Sequence, residues 1–301
     1  MSPAGPAPRT GAAPDGLLVV DKPAGWTSHD VVARCRRLAR TRKVGHAGTL
    51  DPMATGVLVL GIGRATRLLG HLTLTDKAYD ATVRLGSSTV TDDAEGDVVE
   101  VRDASAVTDE ALAGALAALT GAVDQVPSAV SAIKVGGVRS YARVRAGEGV
   151  ELAARRVLVS RLDVVARRGD DVDVVTEVSS GTYVRALARD VGAALGVGAH
   201  LTALRRTRVG PFGLDRARPL EALGSDEVVD AAVVRLDDAV AAAFPSRALT
   251  PEEAVELSHG RRLAPRGEPG VVGAFAPDGR CIALVEDRDG AARPVVVFAP
   301  A

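Results

Sequence analysis

A short apolar run near the start of the chain predicts its first buried strand. The run extends from Leu17 to Val20 and stops at Asp21 to Gly25, where proline and glycine favour a turn. Apolar residues then recur at helical spacing, and Thr27 or Ser28 is placed to cap the helix that they predict. The apolar face of this helix consists of Val31, Val32, Cys35, Leu38 and Ala39, with Arg34, Arg37 and Arg40 mostly outside it.

Helical spacing and two-residue alternation of apolar residues predict most of the remaining elements. Apolar and polar residues alternate from Tyr79 to Leu85, as in a half-buried strand. Further strands are predicted at Val98 to Val101, Val157 to Leu162 and Val172 to Val178. Helices are predicted from Thr108 to about Leu119 and from about Tyr183 to Leu195, with Gly196 as a left-handed end of the second.

One segment has no apolar period. Lys43 to Gly56 contains three glycines and a proline, so we predict an irregular loop before a strand at Val57 to Leu60. Irregular loops on a rigid scaffold often carry functional sites. This loop is therefore the first place to look for chemistry.

The order of these elements predicts an α+β fold. Strands and helices mix without the regular alternation of a parallel sheet, which favours a mixed, largely antiparallel sheet. From about Ala248 the pattern changes to one short helix, Pro251 to Ser258, and valine-rich strands separated by tight turns. We predict a disordered tail at 1–14, one large domain at 15–247 and a small β-rich domain at 248–301.

Composition and charge limit the classes of function. The 301 residues are 47% hydrophobic and carry a formal net charge of −1, as in an ordinary globular protein. The charges are segregated, because Val31 to His46 holds six basic residues and no acid, whereas Glu221 to Asp238 holds six acids and one arginine. One surface can therefore bind a polyanion although the whole chain is nearly neutral.

Cysteine usage and hydropathy add two exclusions. Cys35 and Cys281 lie far apart without metal-ligand spacing, so we predict neither a disulfide framework nor a zinc site. The N-terminal segment lacks the apolar core of a signal peptide, and no apolar run is long enough to span a bilayer. We expect a cytoplasmic protein that does not enter a membrane.

Three places carry candidate chemistry. His46 and Asp51 lie five residues apart in the glycine-rich loop, where the backbone can approach a ligand closely. Tyr183 and Arg185 lie where a strand passes into a helix, and Tyr79 begins a strand. Each has a structural alternative: an Asp-Pro turn, a solvated arginine and a packed tyrosine. The basic clusters, Arg34 to Lys43 and Arg205 to Arg208, suit phosphate contacts or are solvated faces.

Four separated segments together resemble the bacterial tRNA pseudouridine-55 synthases, the TruB family. The likeness extends over about residues 15 to 215, helped by Gly198 to Leu201 and Leu204 to Arg206. It implies a mixed-sheet α+β catalytic domain and a small C-terminal RNA-binding domain of the PUA type or a variant of it. The four segments are Asp21 to Ser28, Lys43 to Gly56, Asp76 to Tyr79 and Gly181 to Arg185.

The resemblance implies a role for each matching residue. Asp51 corresponds to the catalytic aspartate, Tyr79 to the tyrosine that stacks on the target base, and Arg185 to the arginine that pairs with the aspartate. It implies pocket or substrate contacts for His46, Tyr183, Leu204, Arg205 and Lys22. Lys22 and Pro23 also correspond to a lysine-proline element that supports the catalytic loop. An RNA-clasping insertion is expected at about 127–151, with Lys134 and Tyr141 as candidate contacts.

The implied reaction needs no redox change and no group donor. Uridine becomes pseudouridine when the bond from ribose C1′ to N1 breaks, the uracil turns, and C5 joins C1′. The sequence leaves open whether Asp51 attacks C1′, attacks the uracil ring or removes a ribose proton. We expect no cofactor, tRNA bound through its T-arm as the partner, and a monomer without an obligatory protein partner.

Two departures and three rival interpretations accompany the resemblance. Asp80 stands where family members often have arginine or glutamate, and Ser180 stands where they often have lysine. The rivals are a non-catalytic RNA-binding protein or tRNA chaperone, a guide-dependent pseudouridine synthase, and a glycoside-type hydrolase. The hydrolase needs a second carboxylate beside Asp51, for which composition offers Asp76, Asp80 and Asp190.

Overall fold

The computed structural model describes residues 14–128, 134–135, 138–139 and 152–300. Residues 1–13 of the predicted tail lie outside the described residues. So do most of the expected RNA-clasping insertion and Tyr141 within it. Lys134 is described only as part of a short strand.

Strands make up most of the described chain. Their bounds are β1 Gly16–Lys22, β2 Val44–His46, β3 Thr55–Ile62, β4 Lys77–Leu85, β5 Ser87–Thr89, β6 Val98–Val101, β7 Gly121–Gln125, β8 Lys134–Val135, β9 Val138–Arg139, β10 Arg155–Arg168, β11 Asp171–Val178, β12 Ala199–Val209, β13 Phe212–Gly213, β14 Arg218–Pro219, β15 Val234–Arg235, β16 Ser246–Ala248, β17 Val271–Phe275, β18 Cys281–Arg288 and β19 Ala291–Val297.

Short helices connect these strands. The α-helices are α1 Ser28–Leu38, α2 Leu69–Thr73, α3 Asp109–Ala118, α4 Val184–Ala194, α5 Asp226–Ala232, α6 Leu236–Ala243 and α7 Pro251–Ser258. Single 3₁₀ segments occur at Gly63–Leu68, Leu214–Arg216 and Leu220–Ala222.

A mixed sheet organises the large domain, and the α+β prediction is confirmed. Its strand order is β14-β1-β3-β12-β4-β11-β10-β7, with β2, β13 and β15 paired at its sides. The pairs β1–β14 and β3–β12 are parallel, and the other pairs of this sheet are antiparallel. Strand β12 therefore lies between β3, which follows the segment containing Asp51, and β4, which begins at Lys77 and contains Tyr79.

The apolar run Leu17–Val20 is explained by burial on both faces of the sheet. Leu18 and Val20 pack into a core shared with α1, α3 and α4. Leu17 and Val19 pack on the opposite face, against α2, α6 and the C-terminal strands. Because successive residues of a strand point to opposite faces, a strand covered on both sides has no polar alternation.

Helix α1 begins where its capping signals predict. The Thr27 hydroxyl accepts from the Asp30 amide, and the Asp30 carboxylate accepts from the Thr27 amide, which completes a capping box. At the other end of the helix, Arg36 donates to the carbonyl oxygen of Val44 at 2.8 Å. One arginine of the basic helix is therefore committed to holding β2.

One detail of the sequence prediction is corrected. The predicted irregular loop begins with β2, because Val44–His46 pairs with the far end of β3 and is shielded there. A three-residue strand is too short to show a period. Near the C-terminus, the second sheet begins with β16 at Ser246–Ala248, and the domain boundary expected at about Ala248 stays a prediction.

The C-terminal sheet has the order β16-β17-β18-β19. The predicted helix Pro251–Ser258 packs against it through Leu257. Cys281, Leu284 and Phe298 from this part share a buried cluster with β1, β3 and α6. Within the described part of the chain, no helix is both long and apolar enough to cross a membrane.

Candidate active site

The candidate catalytic loop is the segment between β2 and β3 that contains Asp51. Two side chains from β1 and α1 fix it from one side. Lys22 Nζ donates to the carbonyl oxygen of Pro52 at 3.2 Å, and the Ser28 hydroxyl exchanges hydrogen bonds with the backbone of Leu50. The loop is therefore irregular in conformation but bound to the sheet.

Arg206 of β12 holds the same loop from beneath. It is 1% exposed, and its guanidinium donates to the carbonyl oxygens of Gly48, Thr49 and Val57. At Gly56, φ is +97° and a Cβ would lie 2.2 Å from the Arg206 carbonyl oxygen, so only glycine fits there. Arg206 is thus a structural arginine, and its expected phosphate contact is wrong.

Lys22 also lies under the loop rather than in the cavity. It is fully buried, and its ammonium donates to the carbonyl oxygens of Pro23, Trp26 and Pro52. Burial lowers the pKa of Lys22 to about 8, while the nearby Asp51 opposes this shift. With no exposed surface and three carbonyl partners, Lys22 contacts the loop that contains Asp51, and the expected direct binding of substrate by Lys22 is corrected.

Arg185 joins two carboxylates. Its Nε lies 3.0 Å from Oδ2 of Asp51, and its Nη1 lies 3.4 Å from Oδ2 of Asp93. Nη1 also donates to the carbonyl oxygen of Thr91 at 2.7 Å. The side chain of Asp51 is 37% exposed, whereas those of Arg185 and Asp93 are almost covered. The accessible carboxylate is therefore oriented by a guanidinium that is itself held from behind.

Asp93 was missed by the sequence analysis. Its carboxylate accepts from the Thr91 hydroxyl and from the Glu95 amide, so it is fixed by its own turn. The only signal in the chain is an acidic turn between β5 and β6, which resembles any solvated surface turn. Nothing local to that turn indicates that a buried arginine reaches it.

The start of α4 is set by Gln125. The Gln125 side chain accepts from the amide of Tyr183 and donates to its carbonyl oxygen, at 2.8 and 3.1 Å. Tyr183 occupies the position before the helix, and no side chain caps the helix there. This clamp fixes the turn from which Arg185 extends toward Asp51.

Tyr79 and Leu204 occupy the same face of the sheet. Tyr79 on β4 pairs with Arg206 on β12, and the next pair on that face joins Ala81 to Leu204. Cross-strand partners project to the same side, so the ring and the leucine side chain stand next to each other. Tyr79 is 7% exposed and Leu204 8% exposed, and both line the cavity above the Asp51 loop.

The cavity has a volume of about 310 Å³. This is at the lower end of the range for small-ligand sites, which suits one nucleotide rather than a folded RNA. Five predicted residues line it together, namely Asp51, Tyr79, Tyr183, Arg185 and Leu204. Its other walls come from Gly48 to Leu50, Thr73, Lys77, Ser180 to Thr182, Val184 and Arg206.

His46 is not among the residues that line the cavity. It lies at the end of β2, with its ring 5.5 Å from that of His29 in an edge-to-face arrangement. Burial, then His29 and Arg206, lower the pKa of His46, and its Nδ1 is buried without a hydrogen-bond partner in the described structure. His46 is therefore a neutral ring beside the catalytic loop.

Some of the remaining basic residues form ion pairs with carboxylates, and others are exposed. Arg205 pairs with Asp21 at 2.7 Å, and Arg208 pairs with Asp76 and Glu177. On α1 and after it, Arg40 pairs with Asp226, whereas Arg37, Arg42 and Lys43 are exposed. The part of the chain that the structure describes does not include the Lys134 side chain.

The carboxylates considered for a hydrolase do not face Asp51. Asp80 is exposed on the face of β4 opposite to Tyr79, Asp76 pairs with Arg208, and Asp190 pairs with Arg189. Among the described residues that line the cavity, Asp51 is the single carboxylate. The second carboxyl group that such a hydrolase needs as its general acid is not present in that lining.

Family models match the chain along most of its length. The model of the TruB family pseudouridylate synthase N-terminal domain matches residues 36–184. The model of the tRNA pseudouridylate synthase B C-terminal domain matches residues 185–253. A third model, tRNA pseudouridine synthase II, C terminal, matches residues 244–299.

Curated relatives are similar over nearly the whole chain. The tRNA pseudouridine synthase B of Mycobacterium sp. (strain KMS) is 62% identical over 290 residues, which cover 95% of this chain and 97% of the relative. That of Thermobifida fusca (strain YX) is 59% identical over 293 residues, covering 95% and 99%. The similarity therefore covers almost the full length of both relatives.

Solved structures share the fold. A Cbf5-Nop10-Gar1 complex contains a chain that is 27% identical, with a TM-score of 0.74 over 96% of this chain and 86% of that one. An H/ACA RNP bound to a substrate RNA containing 2′-deoxyuridine contains one that is 26% identical, with a TM-score of 0.71 over 95% and 85%.

Proposed function

Because this chain belongs to the TruB family of tRNA pseudouridine synthases, isomerases that form pseudouridine 55 in tRNA, we propose that Asp51, Tyr79 and Arg185 carry out that isomerisation on the T-arm. The observation that carries the proposal is the contact between Arg185 and Asp51. It places the single carboxylate of the described cavity lining in a fixed orientation beside an aromatic ring.

The target uridine has to leave the folded T-loop to reach this cavity. Eversion costs a few kcal/mol of stacking, which contacts in the pocket offset. The Tyr79 ring supplies the stacking surface, and Leu204 beside it supplies an apolar wall. His46 lies next to the loop, outside the cavity, where a neutral ring can occupy the space that the base leaves.

Asp51 is the group that acts on the glycoside. Its exposed oxygen can attack ribose C1′ or the uracil ring, or remove a ribose proton, and each route begins from the ionised carboxylate. Arg185 stabilises that charge and fixes the direction of the oxygen. Asp93 and Thr91 hold Arg185 in turn, so the guanidinium does not have to reorganise during the reaction.

The later steps need a group that accepts a proton from C5. When C5 bonds to C1′, the C5 proton leaves and N1, released from C1′, gains one, and the phenol of Tyr79 is a candidate base or relay for this transfer next to the stacked base. The atoms balance without a donor or an oxidant, because the product is an isomer of the substrate. We therefore propose that the enzyme works without a cofactor.

The T-arm is proposed as the recognised part of tRNA, and the enzyme is proposed to act in the cytoplasm as a monomer. Exposed cations on and after α1, including Arg37, Arg42 and Lys43, are available for phosphates. Arg205, Lys134 and Tyr183 are proposed as further RNA contacts. Shape recognition of this kind suits a folded RNA loop.

A tRNA-folding role is the second candidate, because the same surface and base eversion would open and reclose the T-arm. An intact Asp51 with its arginine partner favours catalysis as the main activity. The two roles separate in one variant, since tRNA refolding would survive Asp51→Asn while pseudouridine formation would not.

The test uses purified protein, unmodified tRNA transcript and no added cofactor. Pseudouridine is mapped by a carbodiimide-dependent reverse-transcription stop for the wild type and Asp51→Asn. We expect one stop at the T-loop uridine that is absent in the variant. A folded wild type that binds tRNA tightly without producing a stop would refute catalysis, and a loss of RNA mass would indicate base hydrolysis instead.

A further inference from the structure

A cationic side chain faces the cavity without a role in the steps above. Lys77 begins β4, is 7% exposed and lines the cavity. Tyr79 follows two residues later on the same face, about 7 Å along the strand. The Lys77 side chain therefore lies one strand repeat from the ring that is proposed to stack on the target base.

The Lys77 ammonium has carbonyl partners, and among the described residues no carboxylate pairs with it. Nζ donates to the carbonyl oxygens of Thr73 at 2.9 Å and Thr75 at 2.8 Å. Burial and the Arg206 guanidinium lower the pKa of Lys77 to about 8, and Asp76 opposes this shift. A buried cation next to a second cation is destabilised, and an anion entering the cavity would relieve that strain.

The loop before α4 lies against this ammonium. Ser180 Oγ donates to the same Thr73 carbonyl oxygen as Lys77 Nζ, at 2.8 Å. Gly181 follows with φ of +86°, and no heavy atom outside its immediate neighbours lies within 4 Å of the position of a Cβ. The cavity wall then continues into the first turn of α4, an eleven-residue helix that none of the described side chains caps. Uncapped helical amides favour an anion.

We propose that Lys77 and the uncapped first turn of α4 form a subsite for a backbone phosphate flanking the everted uridine. The proposal rests on the function proposed above. In a nucleotide the ribose separates the phosphate from the base. The spacing of Lys77 and Tyr79 along β4, about 7 Å, is similar to this separation of phosphate and base. The base on Tyr79 and the phosphate at Lys77 would together fix how deeply the ribose enters, and hence where C1′ meets Asp51.

The experiment uses synthetic T-arm hairpins in which the phosphate on the 5′ or 3′ side of the target uridine is an uncharged methylphosphonate. The ratio kcat/KM is measured at several salt concentrations for wild type, Lys77→Met and Lys77→Arg. Arg84→Met is the matched control, because it removes one positive charge from the exposed face of the same strand. Circular dichroism and thermal unfolding confirm that each variant is folded.

We expect Lys77→Met to lower kcat/KM on the all-phosphate hairpin by about tenfold and to reduce the salt slope by about 0.7 to 1, as for one lost phosphate contact. One of the methylphosphonates should lower wild-type kcat/KM by a similar factor and cause no further loss in Lys77→Met. Lys77→Arg keeps the charge and should retain the wild-type salt slope. Arg84→Met should leave both quantities unchanged.

The proposal would be overturned if the loss of kcat/KM caused by Lys77→Met added fully to the loss caused by each methylphosphonate and the salt slope did not change. They would mean that Lys77 only ties the Thr73 and Thr75 carbonyls. Should Lys77→Met not fold, Lys77→Gln replaces it, because its amide can still donate to a carbonyl. Failure of the proposed function has a different result, namely no pseudouridine from the all-phosphate hairpin with the wild type.

Discussion

The Nε atom of Arg185 lies 3.0 Å from Oδ2 of Asp51, although the two residues are far apart along the chain. The arginine is almost completely covered while the carboxylate remains accessible. A buried cation that faces an accessible anion can set the direction of its attacking oxygen without blocking it.

Replacement of Arg185 by lysine should abolish most of the activity. Lysine keeps the positive charge but cannot contact Asp51, Asp93 and the Thr91 carbonyl at the same time. We expect kcat to fall by about 100-fold with little change in KM, measured by tritium release from C5-labelled tRNA. Arg189→Lys, one helical turn later, is the control, and an equal loss there would contradict the assignment.

Asp93→Asn tests whether the second carboxylate acts through Arg185. The amide preserves shape but removes the charge behind the guanidinium, so Arg185 should be held less firmly. We expect kcat to fall by about tenfold while tRNA affinity is retained. In the double variant Asp93→Asn/Arg185→Lys, the losses should not add, and full additivity would show that Asp93 acts independently.

Stability should depend on the absence of a side chain at Gly56. In Gly56→Ala the new Cβ would overlap the Arg206 carbonyl oxygen, whereas Gly121 has the same φ of +97° with nothing within 4 Å. We expect Gly56→Ala to lower the free energy of unfolding by at least about 2 kcal/mol more than Gly121→Ala, measured by urea denaturation. Equal losses would mean that only backbone strain matters.

The buried lysines should make stability depend on alkaline pH. The pKa values of Lys22 and Lys77 are lowered to about 8 from an ordinary 10.5, chiefly by burial, with Arg206 lowering both. Between these values the unfolded chain binds more protons, so the free energy of unfolding gains a contribution that rises with pH. Asp51 and Glu95 oppose the shift at Lys22, and Asp76 opposes it at Lys77.

The measurement compares urea denaturation of wild type and Lys77→Met from pH 7.5 to 10. The free energy of unfolding of the wild type should rise relative to that of Lys77→Met as pH rises. Only the wild type has the Lys77 ammonium, whose burial is unfavourable and whose charge is lost as pH rises. The buried thiols of Cys35 and Cys281, whose pKa values are raised by burial, are present in both proteins and cancel in the difference. A difference that does not vary with pH would contradict the lowered pKa of Lys77.

The local elements were predictable because their signals are local. Thr27 and Thr108 cap the helices that they were expected to cap, and Gly196 has the left-handed conformation that ends α4. The alternation from Tyr79 to Leu85 is the burial pattern of β4. Period and capping depend on neighbours within a few residues, so the chain displays them directly.

The motifs by themselves determined which residues to examine, and the cavity contains five of them: Asp51, Tyr79, Tyr183, Arg185 and Leu204. Their roles in the reaction remain predictions. His46 lies beside the cavity, Arg205 pairs with Asp21, and Lys22 supports the loop from below. A motif identifies a side chain, whereas accessibility depends on what covers it.

Only the tertiary structure decided which charges are buried and what they hold. Arg206 resembles its neighbours in a basic run, yet it is buried and bonded to the loop that precedes β3, and Asp93 comes from an acidic turn that looks solvated. Lys77 faces the cavity because β4 pairs with β12 in one register. These facts depend on strand order and on contacts between residues distant in sequence, and no local period records them.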